Sequence, residues 1–145
     1  MHDLAARLDS GQAAEVFRRM VAAQGGDPRI LDDPALLPQA PVRHEVPAPR
    51  DGCVADIDAE ALGRVALLLG AGRRRVDDTV DHAAGISRLL RPGAHVRRGE
   101  PLMVLHARAA QTARDLQADA ARAVTLADAP PPARPLIIET MSEAR

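Results

Sequence analysis

The chain is predicted to fold as an α+β protein, and three observations carry that expectation. Segments with apolar residues at helical spacing lie in several stretches, short segments that alternate apolar and polar residues fall between them, and Gly and Pro punctuate the boundaries. A length of 145 residues suits one compact domain with a short lead-in. The apolar fraction of 46% comes from Ala, Leu and Val, with Phe17 as the single aromatic residue, so the core must be aliphatic or lean on a neighbouring surface.

Leu4 to Leu8 reads as a short helical segment. Asp9-Ser10-Gly11 offers a side-chain oxygen to cap the next helix, whose Ala13, Val16, Phe17, Met20 and Val21 share one face. Gly25-Gly26 provides a left-handed stop and Pro28 discourages continuation. From Asp27 to Pro49 the prolines at 28, 34, 38, 41, 47 and 49 predict an extended strap between domains with at most one short turn. Within it Val42, His44 and Val46 alternate with Arg43 and Glu45, the period of a short edge strand.

Asp51-Gly52 is a turn signal, and Cys53 to Asp58 reads as a strand. Ala59 to Leu69 places Leu62, Val65, Ala66 and Leu69 on one helical face, with Gly70 as the stop. Gly72 to Asp78 is a charged loop and Thr79 to Ile86 a predicted strand. Leu89-Leu90-Arg91-Pro92-Gly93 opens a strand-turn-strand unit ending in Leu102-Met103-Val104-Leu105. Ala109 to Ala127 is predicted to be one long surface helix with Ala113, Leu116, Ala120 and Val124 as its stripe. Pro130-Pro131-Pro132 ends it, and Leu136-Ile137-Ile138 reads as a closing strand.

The formal net charge of -1 argues against general attraction to nucleic acid or anionic membranes. No apolar run approaches a bilayer span, and Met1-His2-Asp3 does not open like a signal peptide, so the expected location is cytoplasmic. Cys53 is the single cysteine, which excludes an internal disulfide and a Cys-rich zinc site; its expected role is that of a small buried strand residue.

Gly70-Ala71-Gly72-Arg73-Arg74-Arg75 has the residue types of a phosphate loop, but it follows a helix instead of opening one, and Asp77, Asp78 and Asp81 add negative charge. His82 with Asp78 and Asp81 has metal-ligand chemistry, yet strand neighbours point to opposite faces and no second His has ligand spacing. The histidines at 2, 44, 95 and 106 stand singly, and Ser87 lacks a Gly-x-Ser-x-Gly elbow. No metal site and no catalytic triad is expected. Leu89 to Leu102, with Pro92-Gly93 and Gly99, resembles half of a biotinyl or lipoyl domain. Those carriers load their cofactor on a lysine amine, and every basic side chain here is Arg, so a carrier role is excluded.

The order of motifs carries a wider resemblance. Met20-Val21-Ala22-Ala23-Gln24-Gly25-Gly26-Asp27, Asp32-Asp33-Pro34 to Ala40, Asp51-Gly52-Cys53-Val54, Leu69-Gly70-Ala71-Gly72-Arg73, Asp78-Thr79-Val80-Asp81 with Gly85, and Pro92-Gly93 to Gly99-Glu100-Pro101-Leu102 together resemble the C-terminal part of the pyrimidine-nucleoside and thymidine phosphorylases. Each motif is weak alone, but in this order they span about Leu8 to Ile138. The resemblance implies a parent enzyme, a homodimer, that transfers a pentosyl group from a pyrimidine nucleoside to phosphate and uses no cofactor beyond that co-substrate. It implies that residues 1–38 are the tail of an α/β phosphate-binding domain plus linker. Residues 39–145 would be the C-terminal domain, short-stranded and barrel-sandwich-like, with two helices.

In that family the phosphate-binding and base-binding residues lie upstream, so no catalytic, substrate-binding or metal residue is carried onto this chain. The expected partner is the rest of the phosphorylase chain, with no nucleic acid and no membrane. The chain is expected to be a structural fragment that supports domain closure and is inactive alone. The alternative is a stand-alone, non-catalytic binding or regulatory module of the same fold.

Overall fold

The computed structural model describes residues 2–73, 75–132, 135 and 137–139, with His2 described by its backbone alone. The chain divides into two compact units, Met1–Gln39 and Ala40–Arg145.

The first unit contains α1 (His2–Asp9) and α2 (Gln12–Ala23). The expected cap from Asp9 or Ser10 does not form. Gly11, left-handed at φ 78, is the N-cap residue of α2 and no side chain bonds there. Ser10 instead closes α1, its amide donating to Ala6 O at 3.0 Å and its hydroxyl to Arg7 O at 3.4 Å. With the two helices this close, the first claims the polar groups that would have opened the second. Gly25 does supply the left-handed stop at φ 79, and the amides of Gly25 and Gly26 donate to Ala22 O and Val21 O at 3.0 and 2.9 Å.

The stretch after Pro28 holds two short 3-10 turns, Pro28–Leu31 and Pro34–Leu36, where at most one was expected. Each is preceded by an aspartate whose carboxylate accepts an amide: Asp27 from Arg29 and Asp33 from Ala35, both at 3.0 Å. Proline's fixed φ plus a capping carboxylate favours a turn at both Asp-Pro steps. Arg18 of α2 holds the first turn by a two-pronged pair with Asp32, both bonds 2.8 Å. No described side chain of this unit is buried.

The second unit is built on two three-stranded antiparallel sheets, confirming the α+β class. One has the order β1 (Val42–Pro47), β5 (Pro101–Ala107), β3 (Gly85–Ser87), and the other β4 (His95–Val96), β2 (Gly52–Ile57), β6 (Val124–Ala127). The alternation of β1 holds, and it is an edge strand, pairing Val42 with Ala107 through Val46 with Met103. α3 (Ala59–Ala66) is capped by Asp58, which accepts from Ala61 N at 2.9 Å. It runs into a π-helical turn, Leu67–Ala71, where Gly70 turns the chain at φ 113. α4 (Ala110–Arg122) buries Ala113, Leu116 and Ala120.

The expected helix over 109–127 therefore ends early. Val124–Ala127 is instead β6, pairing with β2 through Ile57↔Val124 and Val54↔Leu126. The β-branched Val124 and Thr125 gain more from a sheet partner than from another helical turn. The strand expected over Thr79 to Ile86 contracts to Gly85–Ser87; Asp81 is tied into a local turn instead, its amide donating to Gly70 O at 2.9 Å. Ile137 and Ile138 are exposed and in no strand, while Leu136 lies outside the described residues.

Val46, Val54, Leu102, Met103 and Leu105 are fully buried at the centre of the core. Leu62, Val65 and Leu69 join them from α3 and its π turn, and Leu116 from α4. Cys53 is buried on β2, as expected of a small strand residue. No described helix is long and apolar enough to cross a membrane.

Candidate functional site

Three places in the second unit bring chemically capable side chains together. In the first, antiparallel pairing sets Cys53 opposite His95, with Cys53 Sγ 3.2 Å from His95 Nδ1. The pair lines an open cleft of about 770 Å³ rimmed by Asp51, Glu100 and Asp128. Each rim carboxylate already has a structural partner. Asp51 accepts from Arg98 N at 2.7 Å, Glu100 from Arg97 N at 2.8 Å, and Asp128 pairs with Arg50 at 2.9 Å. The bonds of Asp51 and Glu100, with Gly99 N donating to Ala48 O at 2.9 Å, fasten the turn before β5. This is the carrier-like stretch, and its side chains hold the turn in place.

The second place is the base of the loop after α3. Asp81 Oδ1 accepts from Ala83 N at 3.0 Å and Oδ2 from Arg108 Nε at 2.6 Å. The Arg108 bond, then the Ala83 amide, hold the Asp81 carboxyl below the usual carboxylate range. Asp81 is 15% exposed and Arg108 76%, so the pair sits at the rim of a shallow hollow that also includes Gly70, Thr79 and Thr112. Asp78 accepts from Arg75 N at 3.0 Å and His82 faces solvent, so Asp78, Asp81 and His82 do not converge. Arg73 and Arg75 are exposed, and Arg74 lies outside the described residues. Among the described residues no three His, Cys, Asp or Glu side chains are placed to hold a metal ion.

The third place escapes any reading by spacing. Ser87 of β3 and His106 of β5 meet with Ser87 Oγ 2.6 Å from His106 Nε2. Partial burial, and then the charge of Arg43, lower the pKa of the His106 imidazole. His44, on the opposite face of β1, donates from Nε2 to Gln117 Oε1 at 2.6 Å and thereby ties β1 to α4. In the sequence these histidines stand singly, because their partners arrive only through strand register. The one available signal was the alternation that puts His106 and Val104 on one face of β5.

The match to a known domain family includes this region. The model of the pyrimidine nucleoside phosphorylase C-terminal domain matches residues 53–127, from β2 through β6, and so includes all three pairs. The chain is 49% identical over 102 residues to the thymidine phosphorylase of Burkholderia cenocepacia strain HI2424, covering 70% of this chain and 23% of that protein. A second relative from Burkholderia cenocepacia, strain J2315, is 49% identical over 107 residues, covering 73% of this chain and 24% of the relative. The thymidine phosphorylase of Burkholderia orbicola strain AU 1054 is likewise 49% identical over 102 residues. The chain thus spans about a quarter of the length of the curated relatives it matches. With the domain model covering more than half of the chain, including α3, α4 and every strand except β1, the chain belongs to the pyrimidine nucleoside phosphorylase family and corresponds to its C-terminal portion.

Proposed function

We propose that the chain is the structural C-terminal segment of a thymidine phosphorylase-type enzyme. The whole enzyme would act in the cytoplasm as a homodimer, moving the pentosyl group of a pyrimidine nucleoside to phosphate and releasing free base and (deoxy)ribose 1-phosphate. The observation that carries this reading is identity of 49% to relatives named thymidine phosphorylase, over a stretch that is 23% of their length. Residues 1–38 would be the tail of the α/β domain and its linker, and residues 39–145 the family's C-terminal domain.

The state of the first unit supports a missing partner surface. Val16, Phe17 and Met20 of α2 are 57%, 47% and 46% exposed, and Leu4 and Leu8 of α1 are 68% and 69% exposed. Amphipathic helices gain most of their stability by burying such faces, so this unit has the surface of a piece that packs on something else. The role proposed for the second unit is to buttress the α/β domain and support its closure through the loop whose base is Asp81 and Gly70.

The test is a phosphorolysis assay on thymidine and uridine in phosphate buffer, with the chain alone and with the N-terminal three-quarters of a Burkholderia relative added in trans. Activity only in the mixture is the expected result. Enzyme-like rates from the chain alone would overturn the structural role. A stand-alone binding or regulatory module is the second reading, favoured by the second unit's own buried core. Failure of complementation by a well-folded monomer would favour it.

A further inference from the structure

One face of the β1-β5-β3 sheet collects cationic and hydroxyl groups around His106, with Glu45 as the acidic residue beside them. Register sets Arg43 beside His106 and His106 beside Gly85, while Ser87 lies one step along β3 on the same face. Ser87 Oγ reaches His106 Nε2 at 2.6 Å. Arg43 is exposed and forms no ion pair among the described residues, and neither does Glu45, the next residue on that face of β1. A Cβ built on Gly85 would meet nothing within 4 Å, so the floor next to His106 and Ser87 is open. We propose that Arg43, His106 and Ser87 form an oxyanion-binding site over Gly85, taking a phosphate-type or carboxylate group.

The chemistry of the three side chains fits this ligand. Arg43 offers a guanidinium fork matched to oxyanion geometry. Ser87 has one hydroxyl proton. While His106 is neutral, that proton can be donated to Nε2. Once His106 is protonated, Nε2–H donates to Oγ and the Ser87 proton is free to turn towards an anion. Binding is therefore linked to proton uptake at His106. Besides His106, the titratable or charged residues on or beside this face are Arg43 and Glu45 from β1, Arg88 adjoining β3, and Arg108, which follows β5 and is paired with Asp81. An anion between Arg43 and His106 relieves the repulsion between the two cations. Glu45 opposes the anion and limits the site to modest affinity. This inference is independent of the phosphorylase assignment.

The experiment follows the ring proton resonances of all five histidines in the 145-residue chain during titration with sodium phosphate or sodium acetate, at fixed ionic strength balanced with chloride. The expected result is a saturable shift confined to His106, with its midpoint of titration moving to higher pH in the presence of the anion. Saturation by phosphate alone identifies a phosphate-type ligand, and saturation by acetate as well identifies a site open to carboxylates. Arg43→Gln, at an exposed position, should keep the spectrum of the folded chain and weaken binding about tenfold. Ser87→Ala should weaken it less and reduce its coupling to pH. No saturable shift with either anion, or an undiminished response in Arg43→Gln, would overturn the proposal.

Discussion

Two truncations of similar chemistry should have very unequal consequences, because they fall in units that differ in burial. Leu105 is fully buried and packs in the central cluster. Leu105→Ala removes its outer methyl groups and leaves a cavity, which costs about 3–5 kcal/mol. That is a large share of the total stability of a domain this size. Phe17 is already 47% exposed in the chain. Its truncation should cost the isolated chain under about 1 kcal/mol, the usual range for positions outside a core. Docking on the rest of the phosphorylase would bury the remaining half of the ring's area, about 100 Å². At about 25 cal/mol per Å² this corresponds to about 2.5 kcal/mol, or roughly 60-fold in binding. Urea unfolding followed by circular dichroism measures the first pair of effects, and titration of the complementing N-terminal segment measures the last. Equal destabilisation of the isolated chain by Phe17→Ala and Leu105→Ala would refute the reasoning, since it would mean that α2 already lies in a sealed core.

Two further outcomes follow from single contacts. Asp81 has a folded pKa below its unfolded value of about 3.9 because Arg108 and the Ala83 amide bond the ionised form. Its contribution is therefore full above that pH and is lost as pH falls through the depressed folded value; the protection of the Ala83 amide, taken against its intrinsic exchange rate at each pH, should fall over that acid window. In Asp81→Asn this pH dependence should disappear, and protection that still falls over the same window would count against the assignment. Asp58→Ala removes the carboxylate that accepts from Ala61 N at 2.9 Å and should lower stability by about 1 kcal/mol. A melting temperature that stays unchanged would show that α3 does not depend on this cap.

The parts of the fold legible in the sequence were those set by neighbours along the chain. The face of α2 follows from apolar residues three and four apart, and its stop from the low cost of positive φ at Gly25. The edge strand β1 was readable because Val42, His44 and Val46 alternate with charged residues, and α3 because Leu62, Val65 and Leu69 share a face. The order of the glycine- and proline-bearing motifs likewise pointed to the phosphorylase family, and the match over residues 53–127 agrees.

What tertiary structure decided were choices between locally similar alternatives. Val124 continues the stripe of α4 in sequence, yet it leaves the helix because β2 offers hydrogen bonds and Ile57 opposite it, a partner far away along the chain. The capping oxygen of Ser10 was visible, but only the neighbouring helix determined that it would close α1. Cys53 with His95, Asp81 with Arg108, and Ser87 with His106 are paired by strand register and loop closure. Periodicity records which face a residue occupies and carries no information about what is brought to that face. The sequence by itself therefore determined the helical faces, the punctuation and the family, while the pairs that could do chemistry exist only once the strands are aligned.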